Sequence, residues 1–404
     1  MRHVVFVAPY PIETTMRFVR ALRRLEDVVL TGIVAELPRG ADADLYEDVV
    51  VIPDPLHEPS LADALDALIR RHGPVSCLEA ILEPLQVSLA RLRRQFDIEG
   101  TDETTAVLFR DKEAMKLALE AAEIPVARHA TIAHYGQAEA FARDVGFPLV
   151  VKPPAGMACK ATWRIEDVSA LRQAVAALAP RDEEPLLAEE FLQGHERSFD
   201  GICLDRQIRL AAISHYDPPC LDVMRNPWIQ WTVTYPHPAD THDDGDARVV
   251  GERVLRALGL ERGFFHLEWF RRTDGTLAVG EVAARPPGAQ FVRLLGLAHD
   301  CDLYRAWARV TVDRVFDGPW AHEYAVGCAY LRGIGRGRVL GVDGVEEAQR
   351  RVGAHIVEAE LPELGARKRT TYEGDGYAIA RDPSTDTVQH TLRTLIETIR
   401  VRYG

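Results

Sequence analysis

Glu268 and Glu281 stand thirteen residues apart, each inside a short apolar run, HLEWF (His266 to Phe270) and LAVGEVAARPPG (Leu277 to Gly288). The turn-forming stretch Arg272-Thr273-Asp274-Gly275 joins them. Apolar run, turn and apolar run predict a β-hairpin. Such a hairpin sets the two carboxylates side by side on one face, with Arg285 four residues past the second. Two like charges held close disfavour ionisation unless cations or phosphates share the gap. The arrangement asks for a metal ion and a polyphosphate. His266 shares a strand face with Glu268, because side chains repeat every two residues; it is either a structural histidine or a pocket residue.

Three stretches must position this hairpin. The first hundred residues alternate strand and helix: VVFVA, a helix from Thr15 to Leu25, VVLTGIVA, DVVVIPD, a helix from Leu61 to Arg71, PVSCLEA, and a helix near Pro84 to Phe96. That order predicts a parallel αβα unit over residues 1–105. Its first loop, Pro9-Tyr10-Pro11, lacks the glycines a dinucleotide pyrophosphate needs, so the unit reads as a substrate scaffold or a relic of a dinucleotide fold. A second unit, 106–190, opens with a helix from Asp111 to Ala122, continues as strand, loop and strand through FPLVVKPPAGMACKATWRI, and adds a helix from Val168 to Leu178. The third, 191–404, carries the alternating strands FDGICLD and IRLAAISHY, which predict an antiparallel sheet. Within it, short strands from Tyr324 onward and a helix from Ser384 to Arg400 read as a small appended α+β subdomain, 324–404.

Composition narrows the partners. The chain has 404 residues and a formal net charge of -13 with no basic block, which argues against nucleic acid or an anionic membrane. Six scattered cysteines form no CxxC pair and fit a reducing cytoplasm. No apolar stretch is long enough to span a bilayer or to serve as a signal-peptide core. Walker-type, HExxH and GxSxG motifs are missing from the sequence.

Read in order, Asp111-Lys112 at a helix start, Lys152 ending an apolar strand, Glu189-Glu190-Phe191-Leu192, Glu196, Glu268, Glu281 and Arg285 resemble the ATP-grasp superfamily. The resemblance runs from about Arg110 to Leu295, and the flanking units match the family's usual layout. It implies an α/β protein in which a two-part ATP-grasp fold with antiparallel sheets sits between the N-terminal and C-terminal units. It also implies ATP and one or two Mg2+ ions, with Mn2+ as the alternative metal. Lys112 and Lys152 match the lysines that reach the nucleotide phosphates. Pro153 to Thr162 matches the phosphate loop, to which Lys160 adds a charge, although alanines replace most of the usual glycines. Glu189 or Glu190, with the backbone at Phe191 and Leu192, matches the adenine-reading hinge, and Glu196 the ribose ligand. Glu268 and Glu281 match the metal carboxylates. Ala283 stands where the family usually has a further ligand, asparagine.

The implied chemistry is activation of a carboxylate as an acyl phosphate, then attack by an amine, with release of ADP and phosphate. Arg285 is the catalytic candidate, a fork able to neutralise both the moving phosphate and the carboxylate. EVAARPPG resembles the L-amino-acid ligase branch, so an amino acid is the expected carboxylate. The rivals are an enzyme that activates bicarbonate or formate and a nucleotide-binding regulator without catalysis. Substrate-pocket candidates are His215, Met224, Arg225, Asn226, His266 and Arg293. A homodimer is the assembly common in the family.

Overall fold

The structure, a computed structural model, describes residues 1–156, 161–226, 228–241 and 244–404. Its N-terminal sheet is wholly parallel, in the order Asp48–Val51, Val28–Val34, Arg2–Val7, Val75–Glu79. Helices Glu13–Arg23 and Glu58–His72 cross between its strands. Strands such as VVFV are apolar on both faces, as burial from both sides requires; Val4, Val5 and Phe6 are completely buried. The last strand ends at Glu79, and the chain leaves it through a 3-10 turn, Glu83–Leu85, before helix Gln86–Gln95. The turn lies beyond the carboxyl ends of the parallel strands, where open α/β sheets present functional groups.

A second, four-stranded sheet runs His129–Ile132, Leu186–Glu190, Leu149–Lys152, Trp163–Ile165. Helices Tyr135–Val145 and Val168–Leu178 pack on it, around Ile132, Leu149, Val151, Leu171 and Leu186. Helix Lys112–Ala121 belongs elsewhere, although the sequence groups it with this unit. Its apolar face, Met115 and Leu119, enters the core formed by Phe199, Phe265, Leu267 and Trp269. Asp111 caps the helix through the amides of Glu113 and Ala114.

The third sheet has eight strands, in the order Leu277–Ala283, Gly263–Arg272, Gly194–Leu204, Gln207–Asp217, Trp231–Tyr235, Ala325–Leu331, Gly376–Asp382, Ile356–Glu360. The strands expected to form a separate appendage therefore continue it, because Trp231–Tyr235 pairs along its length with Ala325–Leu331. Only Val339–Asp343 and Arg400–Tyr403 form a sheet of their own. One face of the large sheet is covered by helix Gly245–Leu258, and Gly251 is the contact point: an added Cβ there would lie 2.4 Å from the Phe199 ring. The opposite face carries the polar side chains described next.

Replacing a helical glycine by alanine ordinarily stabilises by about 1 kcal/mol. Gly251→Ala is expected to do the reverse, destabilising by about 1–3 kcal/mol through overpacking against Phe199, measured by denaturant unfolding.

Candidate active site

The hairpin forms as its turn residues require: Gly275 takes a left-handed φ of 85°, and the Arg272 amide donates to the Thr276 carbonyl at 2.8 Å. In the resulting register Glu268 is the direct cross-strand partner of Glu281. Both line a cavity of about 650 Å3 between the large sheet and the four-stranded sheet, together with Lys112, Lys152, Glu189, Glu190, Phe191, Leu192 and Glu196.

Counter-charges come from several elements. Lys112 Nζ lies 2.9 Å from Glu281 Oε1 and donates to the Gly156 carbonyl at 3.0 Å. His266 Nε2 is 3.3 Å from Glu268 Oε1, while its Nδ1 contacts Asp200, a fully buried carboxylate. Tyr235 and Ser198 donate to the other Asp200 oxygen. Burial would lower the His266 imidazole, but Asp200 and Glu268 outweigh it and raise it to about 10. Burial would raise the Glu268 carboxyl, and His266, Arg285 and Lys112 together hold it below its ordinary range. Glu196 is less well compensated: burial and the neighbouring Glu268 push it up to about 8, against the opposing pull of His266 and of the Cys220 amide, which its Oε2 accepts at 2.8 Å.

Arg285 is fastened from the N-terminal unit. Its Nε and Nη2 donate to Glu83 Oε2 at 3.2 and 2.9 Å, and Nη1 donates to the Pro286 carbonyl. The other Glu83 oxygen accepts Arg110 Nη1 at 2.9 Å, and Arg110 also donates to the carbonyls of Ala155 and Gly156. Burial would lower the Arg285 guanidinium, yet Glu83 overcomes this and raises it.

On the facing sheet, Glu189 is clamped between Lys152 Nζ at 2.9 Å and Lys116 Nζ at 3.4 Å. Lys116 is completely buried and also donates to the Gly280 carbonyl at 3.3 Å, next to Glu281. Burial would raise the Glu189 carboxyl; the two ammonium groups override it and hold it at about 2.

Residues 117–294 match the ATP-grasp domain family, a span that includes Lys152, Glu189, Glu268, Glu281 and Arg285. The chain carries an ATP-grasp domain. It is 25% identical over 290 residues to the L-arginine-specific L-amino acid ligase of Bacillus subtilis, covering 70% of this chain and 69% of that protein. The crystal structure of L-amino acid ligase from Bacillus licheniformis superposes with a TM-score of 0.82 at 17% identity, covering 100% of this chain and 99% of that one. An ADP complex of N5-carboxyaminoimidazole synthetase from Staphylococcus aureus gives 0.73 at 14%, covering 98% and 96%. Among the described residues, no helix is long and apolar enough to cross a membrane.

The ATP-grasp cavity gathers most, but not all, of the residues singled out from sequence. Lys160 lies outside the described residues. Glu190 lines the cavity but its Oε1 is engaged by Arg272 at 2.7 Å and by the Arg128 amide. Phe191 stacks under the Arg164 guanidinium, 4.2 Å from the ring centroid. His266 faces the site; His215 does not. Ser198 pairs with Ser214 across the strands and faces Asp200, so His215 and its partner Arg197 point to the other side, where both meet Asp244. Arg293 is a second correction: it lines a different recess and pairs with Glu358 at 2.7 Å. Helix Cys220–Arg225 presents Leu221 and Asp222 to the cavity rather than Met224 and Arg225, and Asn226 bonds back to the Asp222 carbonyl.

Three residues escaped the sequence reading. Lys116 had a signal, since it lies one helical turn after Lys112 on the same face. Glu83 and Asp200 had none, because long-range packing alone brings them to Arg285 and His266.

Because Glu189 is depressed below its ordinary 4.5, its contribution to stability is present above that value and fades as pH falls toward about 2. Lys116→Met removes one of its two cations. We expect a loss of about 1–3 kcal/mol at neutral pH, and acid unfolding that begins at higher pH than in wild type, both read by circular dichroism.

Proposed function

We propose that the chain is an ATP-dependent carboxylate-amine ligase, activating a carboxylate, that of an amino acid, as an acyl phosphate and joining it to an amine. The observation that carries this reading is the cross-strand pair Glu268 and Glu281, which lines one cavity with Lys112 and Lys152, while His266 and Arg285 add positive charge that holds Glu268 ionised. The similarity to L-amino acid ligases supports the choice of an amino acid.

Glu268 and Glu281 fit Mg2+. They are hard oxygen donors set opposite one another on adjacent strands and lining one cavity. Among the described residues, no group of three His, Cys, Asp or Glu side chains could hold a metal unaided. That suits an ion completed by nucleotide oxygens and water, and Ala283 leaves this completion to them. When bound, the ion neutralises phosphate charge. The residues do the rest. Lys112 and Lys152 receive the phosphates as point charges; Phe191, Leu192 and the hinge backbone border the adenine, and Glu196 the ribose. Glu189 keeps both Lys116 and Lys152 in place. Arg285, held by Glu83, offsets the charge that builds as one anion approaches another.

In this reaction a carboxylate oxygen bonds to the γ-phosphorus as the bond to ADP breaks, and the amine then bonds to the acyl carbon as phosphate leaves with that same oxygen. A substrate carboxylate labelled with 18O must therefore place one label in the released phosphate. Mass spectrometry of phosphate and product across a grid of amino acids tests this directly; product formed with unlabelled phosphate would sink the acyl-phosphate mechanism. Bicarbonate-stimulated phosphate release without an amine would instead assign a carboxylase-type reaction. Arg285→Ala or Glu281→Ala is expected to lower substrate-dependent ADP release by roughly 100- to 1,000-fold.

A further inference from the structure

A second recess, of about 560 Å3, opens beside the start of helix Gly245–Leu258, the helix that covers the face of the large sheet turned away from the ATP-grasp cavity. Arg209, Arg248, His299 and His322 line it, with Thr241 and Trp320. The two imidazole rings stand 4.8 Å apart, centroid to centroid. Among the described residues no carboxylate lines the recess, although the chain carries 61 acids against 48 lysines and arginines. Acids close by in sequence are drawn elsewhere: Asp240 accepts from Thr385, Asp244 meets Arg197 and His215, and Asp300 meets Arg381.

The wall offers both donors and acceptors. Among the described residues Arg248 has no hydrogen-bond or ion-pair partner, and burial alone acts on its guanidinium, lowering it. Arg209 spends Nε on the Leu204 carbonyl at 3.3 Å and Nη2 on Asp205 at 3.4 Å. His299 Nδ1 lies 3.0 Å from the Leu295 carbonyl, and His322 Nε2 lies 3.1 Å from the Tyr324 carbonyl. A carbonyl only accepts, so each of these nitrogens carries the ring proton. Burial holds both imidazoles below their ordinary range, His322 at about 3 with His299 adding to the effect. Both rings are therefore neutral near neutral pH, and His299 Nε2 and His322 Nδ1 are acceptors.

That combination selects a ligand class. Guanidinium forks match the oxygens of a phosphate group. Neutral imidazole nitrogens repel bare anionic oxygens and need hydroxyl donors, so the ligand carries hydroxyls beside its charge. Trp320 adds an apolar wall, and the volume falls within the roughly 300–1,000 Å3 usual for small-molecule sites, more than a free phosphate ion fills. Solvent can serve each polar group singly, but it does not account for a wall that gathers four basic side chains and excludes acids in an acidic chain.

We propose that this recess binds a phosphorylated sugar or polyol, with Arg248 and Arg209 donating to the phosphate and His299 and His322 accepting from the ligand's hydroxyls. It is a binding site separate from the ATP-grasp cavity, and it stands whether or not the ligase reading does.

Calorimetry of glucose 6-phosphate, ribose 5-phosphate and glycerol 3-phosphate against the full chain tests this, with inorganic phosphate as a fourth probe. At least one ester should bind, and more tightly than inorganic phosphate. Arg248→Met breaks no hydrogen bond or ion pair among the described residues, so its unfolding should match wild type. Its affinity for that ester should fall roughly 10- to 100-fold, as the loss of hydrogen bonds to a charged group requires. Saturation with Mg2+ and a non-hydrolysable ATP analogue should leave the ester's affinity unchanged. Failure of all three esters to bind, binding that survives Arg248→Met, or displacement by the ATP analogue overturns the assignment. Inorganic phosphate that binds as tightly as the esters overturns the sugar or polyol body and reassigns the recess to the free ion.

Discussion

Everything in this site follows from two glutamates placed opposite one another on adjacent strands. Backbone pairing makes Glu268 and Glu281 neighbours whatever their charge, and like charges opposite each other on a sheet are destabilising. The fold answers by importing cations. Lys112 arrives on a helix start, His266 from the same strand with Asp200 behind it, and Arg285 from the turn after the hairpin. These groups satisfy the carboxylates, and in the proposed reaction the same cations receive phosphate.

The same device links the separate layers. Glu83 reaches from the N-terminal sheet to both Arg285 and Arg110, and Arg110 grips the carbonyls of Ala155 and Gly156 just beyond the strand that ends at Lys152. Lys116 joins Glu189 of the four-stranded sheet to Gly280 of the hairpin. Each is a buried ionic contact, and such contacts are a modest source of net stability but costly to break on one side. Their effect here is positional: displacement of one layer would leave a buried charge unpaired.

How much of this was legible in the sequence depended on distance along the chain. The Glu268 to Glu281 hairpin was readable because its turn and both apolar runs are local. Lys112, at a capped helix start, and Lys152, at a strand end, were readable for the same reason. His215 was misplaced because period-two alternation says which residues share a face but not which face is the site; pairing of Ser214 with Ser198 decides that. The strands after Tyr324 looked separate because sheet order is set by contacts between distant segments, here Trp231–Tyr235 with Ala325–Leu331. Glu83 and Asp200 were invisible for that reason too.

The central claim is that the opposed glutamates and their cations form a magnesium-nucleotide site. Isothermal calorimetry of ATP against the full chain, with saturating Mg2+ and again in excess chelator, tests it most directly. The account predicts that Mg2+ tightens ATP binding by at least about 10-fold, a difference of roughly 1.4 kcal/mol, and that the gain disappears in the paired substitution Glu268→Gln with Glu281→Gln. Equal ATP affinity with and without Mg2+, or a metal-dependent gain that survives loss of both carboxylates, would contradict it.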